Sequence, residues 1–203
     1  KELIDKKTLA DLTVKCILLK HKNIREKMTY AEELEYLATN EKRNNFIVNL
    51  LQHLDGNTLC LFQLVEKHGK PLYEQVKETI TDRKTFFVYG GTDTSEREEI
   101  RGVVENEKKS VILASYGTFS TGINIRNINN IVFSSPSKSR IRVLQSLGRG
   151  LRKTDTKVSV LIYDIADDIS HNNTRNFTLN HFSERISLYN EQQFDYHISK
   201  VKL

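Results

Sequence analysis

Short apolar runs separated by longer stretches of helical period run through this chain, and that alternation leaves few folds open to it. Val14 to Leu19, Thr58 to Phe62, Thr85 to Tyr89, Ser110 to Ala114, Asn130 to Phe133 and Lys157 to Tyr163 each read as a buried strand. Between them lie amphipathic segments long enough to cross from one strand to the next. Strands that alternate with helices are laid parallel and joined by crossovers. The expected architecture is therefore α/β, a mainly parallel sheet of about six or seven strands flanked by helices.

The punctuation supports that reading. Leu34, Leu37, Phe46, Ile47, Leu50, Leu51 and Leu54 recur at helical spacing and predict two helices broken near Asn40. Asp55-Gly56-Asn57 stops the second. Residues 65 to 79 predict a helix in which Pro71 permits a kink or a late start. Gly90-Gly91 ends a strand, and Thr94-Ser95-Glu96 opens a helix with a hydroxyl cap and an acidic first turn. A helix over 138–150, another over 175–190 and an edge strand from Phe194 to Val201 complete the prediction.

Composition narrows the class. With 38% hydrophobic and 28% charged residues, and only nine glycines and two prolines in 203, the chain has the balance of a folded soluble domain. Its net charge of +5 favours an acidic partner, nucleic acid first among them. Cys16 and Cys60 lie far apart in apolar runs, which predicts buried free thiols and no metal site. No apolar run reaches membrane-spanning length and Lys1 to Lys7 lacks a signal-peptide core, so the expectation is a cytoplasmic protein that meets no membrane. Residues 1–12 read as a linker or the end of a preceding domain, and 13–203 as the domain proper.

Chemistry concentrates in loops after strands. Ligands of open parallel sheets gather beyond the carboxyl ends of the strands. Gln63, then Gly90-Gly91-Thr92-Asp93, then Ser115 to Asn124 occupy such ends. The last loop is dense in hydroxyls and glycines, which lets backbone amides approach phosphates closely. The competing reading, an ordinary long turn, is the weaker of the two. Downstream, Gln145-Ser-Leu-Gly148-Arg149-Gly-Leu-Arg152 sets two guanidinium groups three apart, on one side of a helix and suited to bidentate phosphate contact.

Taken in order, the Thr58 to Gln63 strand, Tyr89-Gly-Gly-Thr with Glu96-Arg97, Ala114-Ser115 to Gly122-Ile123-Asn124, and Gln145 to Arg152 resemble the second RecA-like domain of superfamily 2 helicases. Tyr163-Asp164-Ile165-Ala166-Asp167-Asp168 and His181-Phe182-Ser-Glu-Arg185 extend the resemblance toward phage helicases. The resemblance implies that Arg149 and Arg152 reach the phosphates of ATP across an interdomain cleft, with Arg152 favoured as the arginine finger. Gln145, Gly122 and Asn124 would join the nucleotide side, although many relatives carry aspartate where Asn124 stands. Gln63, Gly91, Thr92 and either Ser115 or Thr118 would contact the nucleic-acid strand. The implied partners are DNA, DNA–RNA hybrids and an N-terminal RecA-like domain of the same polypeptide, which would hold most of the ATP and Mg2+. In that reading the intact protein serves phage recombination, repair and replication.

Several patterns compete. The sequence has no Gly-x-x-x-x-Gly-Lys-Ser/Thr loop, and Gly69-Lys70-Pro71 only imitates its end. Asp164 sits where a strand should end, which reads as a structural cap ahead of a metal ligand. His68, His171 and His181 read as solvent or helix-surface residues, and Phe177, Phe182, Tyr189, Phe194 and Tyr196 as core ahead of base-stacking groups. Lys138, Arg140 and Arg142 fit a DNA-facing strip or a solvated helix start. The alternatives to a motor domain are a basic binding module without catalysis and a small nucleotide-dependent transferase.

Overall fold

A computed structural model describes residues 12–120, 127–136, 159–191 and 193–203. In chain order the described elements are β1 (Leu12–Lys20), α1 (Tyr30–Thr39), α2 (Glu41–His53), β2 (Thr58–Phe62), a π-helical turn at Val65–Gly69 running into α3 (Lys70–Thr79), β3 (Lys84–Val88), α4 (Thr94–Asn106), β4 (Ser110–Ser115), α5 (Tyr116–Ser120), β5 (Asn130–Phe133), β6 (Val160–Asp168), α6 (Phe177–Glu191) and β7 (Asp195–Lys202). The strands form one seven-stranded sheet in the order β3-β4-β2-β5-β6-β1-β7. Every neighbouring pair is parallel.

The apolar runs explain the layering. A parallel sheet covered on both faces needs strands that are hydrophobic on both sides, and β2, β4 and β5 are buried at every residue. Leu59, Leu61, Ile112, Ala114 and Phe133 face one core with Val104 of α4 and with Leu179, Phe182 and Tyr189 of α6. Cys60, Phe62, Val111, Leu113 and Val132 face the other with Ile47, Val48 and Leu51 of α2 and with Leu72 and Val76 of α3. Both cysteines are buried, one in each core. Burial pushes the Cys60 thiol up to about 12.

Local signals place the element ends. Asn40 closes α1 and caps α2, its side chain accepting from the Arg43 N–H at 2.9 Å. Thr29 and Glu32 form a capping box at the start of α1. Gly56 turns the chain out of α2 with φ +83°, a left-handed conformation that glycine adopts without steric cost.

Four expectations change. The helix over 65–79 divides into the π-helical turn and α3, with Pro71 in the first turn of α3 where its missing N–H costs nothing. Asp93, not a hydroxyl residue, occupies the cap of α4 and makes no side-chain cap bond. Described residues of β6 begin at Val160 and run on to Asp168, so Asp164 lies inside the strand. Phe177 is 42% exposed rather than core, while Phe182 and Tyr189 are buried as expected. Leu12 already belongs to β1, and residues 1–11 of the expected linker lie outside the described residues, as does the helix over 138–150.

Candidate nucleic-acid and nucleotide interface

Because all seven strands run parallel, their carboxyl ends share one edge of the sheet. β2 hands the chain to α3 in one core, whereas β4 hands it to α5, whose Tyr116 packs in the other. Adjacent strands whose connections leave to opposite faces open a crevice between their ends, the usual ligand position in such sheets. Gln63 stands on one side of that crevice, and Ser115 and Thr118 on the other.

Hydrogen bonds hold these loops in one arrangement. The Gln63 N–H donates to Ser135 Oγ at 3.1 Å, while the Gln63 residue itself is exposed. Ser135 Oγ lies 2.8 Å from His68 Nδ1, and His68 Nε2 lies 3.2 Å from Asn44 Oδ1. Since Asn44 Oδ1 can only accept, Nε2 carries the hydrogen and Ser135 donates to Nδ1. Asn44 Nδ2 then donates to the Ala38 carbonyl at 3.0 Å. Burial, and then the nearby Arg43 guanidinium, push the His68 imidazole down to about 3, so it works as a neutral relay. Tyr116 donates to the Ser135 carbonyl at 2.9 Å and ties the end of β4 to the end of β5.

Ser115 and Thr118 are both buried, and their hydroxyls lie 2.7 Å apart. The Thr118 N–H also points at Ser115 Oγ at 3.4 Å, so both hydroxyls brace the first turn of α5. At the sheet edge, Thr92 closes the turn after β3: its hydroxyl accepts from the Tyr89 N–H and its own N–H donates to the Tyr89 carbonyl, each at 3.0 Å. Arg97 donates to the Tyr89 and Gly90 carbonyls at 3.2 and 3.1 Å. That leaves Gly90 and Gly91 exposed at the tip. Gln63, Ser115 and Thr118 thus meet at one crevice, and Gly91 with Thr92 stands at the end of the strand beyond β4. Gly122, Asn124, Gln145, Arg149 and Arg152, with Lys138, Arg140 and Arg142, lie outside the described residues.

The buried polar network went unread in the sequence. His68 is 1% exposed, not a surface residue, because the π-helical turn rotates it beneath the Gln63 loop. Beside it, Asp167 Oδ1 accepts from His21 Nε2 and Arg43 Nε, both at 2.9 Å. Burial pushes the Asp167 carboxyl up, but the Arg43 charge and the His21 and Arg43 hydrogen bonds outweigh it and hold the group at about 2. Asp164 is fully buried, with Arg185 donating to both its oxygens at 2.8 and 3.0 Å and Tyr189 donating at 2.7 Å. Those bonds account for the acid as a core ion pair. Ser134-Ser135 after an apolar run was the available signal for the hub, since hydroxyls there fall at a strand's carboxyl end.

The chain has counterparts among known proteins. Residues 41–154 match the helicase conserved C-terminal domain family. The chain belongs to that family. The ATP-dependent DNA helicase uvsW of Enterobacteria phage T4 is 35% identical over 188 residues, covering 86% of this chain and 37% of the relative. The crystal structure of T4 UvsW superposes with a TM-score of 0.81 at 32% identity, over 96% of this chain and 42% of that one. The resemblance to phage helicases therefore holds, and the fold is RecA-like. The C-terminal domain of the DEAD-box protein Dbp5 shares the fold alone, with a TM-score of 0.56 at 13% identity over 96% of this chain and 91% of that domain. This helicase domain spans about two fifths of the length of the UvsW proteins it matches.

Proposed function

We propose that this domain is the second motor domain of an ATP-dependent superfamily 2 DNA helicase that acts on branched DNA and DNA–RNA hybrids. The observation that carries the proposal is the family match through residues 41–154, which includes Gln145 to Arg152 and the loops at the carboxyl edge. The ATP and Mg2+ would be held mainly by an N-terminal RecA-like domain of the same polypeptide. Arg149 and Arg152 would reach across the cleft to the phosphates, with Gln145, Gly122 and Asn124 beside them. Gln63, the Gly90-Gly91 tip with Thr92, and the Ser115–Thr118 turn would hold the strand by its backbone, independent of sequence. Closure on ATP and release after hydrolysis would move the strand stepwise.

The test is the DNA-stimulated ATPase of the intact protein carrying Arg152→Ala. Loss of an arginine finger is expected to lower kcat by about 10³-fold or more with nucleotide binding retained. Unchanged turnover would leave a basic binding module as the better reading.

A further inference from the structure

The loops after β1 and β6 build a second surface on the same sheet edge, two or more strands away from the crevice already described. They are shaped, not slack. Asn23, Asn172 and Asn173 all hold left-handed conformations, with φ of 61°, 46° and 59°. His171 and Thr174 bond each other's backbone at 3.1 and 2.8 Å, and His171 Nδ1 donates to the Ile24 carbonyl at 3.0 Å, joining one loop to the other. Between them lies a cleft of about 250 Å³ lined by Lys27, Met28, Arg175, Phe177 and Asn180.

Cations elsewhere on the surface are partly paired: exposed Lys42, Lys108 and Lys200 form no ion pair among the described residues. Lys67, Lys70, Lys77, Lys84, Arg101 and Lys109 each pair with an acid. Exposed Lys20, Lys22, Arg25, Lys27 and Arg175 form no ion pair among the described residues, and Lys202 stands in register beside Lys20. Glu26 and Asp168 are the nearby acids, and the Ser170 N–H already donates to Asp168 at 3.1 Å. Glu33 lies in the cleft wall but accepts from the Phe177 and Thr178 N–H groups at 2.8 and 2.9 Å, which caps α6. The cleft therefore offers two cations, Lys27 and Arg175, the latter also donating to Ser183 Oγ at 2.7 Å, with Lys20, Lys22 and Arg25 in the adjoining strand end and loop. Beside the two is an aromatic ring that is 42% exposed and within edge contact of Tyr30.

We propose that this cleft is a second nucleic-acid contact, taking phosphates of an unpaired DNA strand on Lys22, Arg25, Lys27 and Arg175 and stacking a base on Phe177. It rests on the reading of the domain as part of a DNA motor. Unpaired cations match a polyanion, and an open ring beside them matches a base, which double-stranded DNA keeps stacked.

The experiment is fluorescence anisotropy of a labelled oligothymidylate with the full chain across a salt series, melting temperatures serving as the folding check. Lys27→Ala with Arg175→Ala is expected to weaken binding about tenfold and flatten the log–log salt slope by roughly 1.4, two single-strand phosphate contacts at about 0.7 each. Phe177→Ala is expected to weaken binding about tenfold with the slope unchanged. Lys84→Ala, at the opposite edge of the sheet, should change neither. If the parent chain binds and the double variant keeps both affinity and slope, the cleft proposal fails alone. If the parent does not bind DNA, the motor reading fails with it. Polyglutamate displacing the oligonucleotide at equal charge concentration would assign the cleft to an acidic protein and overturn the proposal.

Discussion

At the scale of single residues, buried polar groups set much of the behaviour to be expected. His68 stays neutral in the fold down to about 3, whereas in the unfolded chain it takes a proton below its ordinary 6.5. The unfolded state binds more protons across that window, so His68 contributes stability above 6.5 that is lost as the pH falls through it, at up to about 1.4 kcal/mol per pH unit. His68→Gln should flatten urea-denaturation stability against pH between 6.5 and about 3. Asp167 adds a second loss at lower pH, from its ordinary 3.8 down to about 2, because its depressed carboxyl must protonate. Asn57 acts at the opposite edge of the sheet. Its side chain donates to the Val104, Glu107 and Asn127 carbonyls and accepts from the Ser110 N–H and hydroxyl. Asn57→Ala strands several buried groups at once and is expected to cost about 3 kcal/mol or more by chemical denaturation. None of these roles was legible in the sequence, where Asn57 reads as a turn residue and His68 as a surface one. Their partners lie 24 to 67 positions away for His68 and up to 70 for Asn57, beyond the reach of local pattern.

Among elements, the strand–helix alternation foretold the sheet well because burial on both faces forces continuous apolar runs. Thr58–Phe62 and Asn130–Phe133 fall where the sequence places them. The pattern misjudges β6 for a physical reason: Asp164 and Asp167 interrupt the run yet remain inside the strand, each neutralised by arginine from a different helix. Asp164 bonds Arg185 on the α6 side, and Asp167 bonds Arg43 on the α2 side. Removing one partner of such a pair leaves a buried charge, so Arg185→Leu should cost about 3–5 kcal/mol, and pairing it with Asp164→Asn should recover part of that loss. A double-mutant denaturation series measures both. Additive losses would mean that the pair does not interact in solution.

For the whole molecule, the family match and the UvsW superposition establish a helicase C-terminal domain, and the shared sheet edge gathers Gln63, Ser115 and Thr118 at one crevice. The hydroxyl-rich loop was readable as lying at a strand's carboxyl end because parallel topology assigns such loops to that edge. Which hydroxyls face outward was not, since Ser115, Thr118 and Thr92 are buried and hydrogen-bonded within their own turns. The central proposal is that this domain supplies half of an ATP site and none of the nucleotide cradle. The direct measurement is ATP hydrolysis in saturating DNA by the 203-residue chain alone and by the same chain joined to an N-terminal RecA-like domain. No turnover alone and DNA-stimulated turnover when joined is the expected result, whereas hydrolysis by the isolated chain would contradict it.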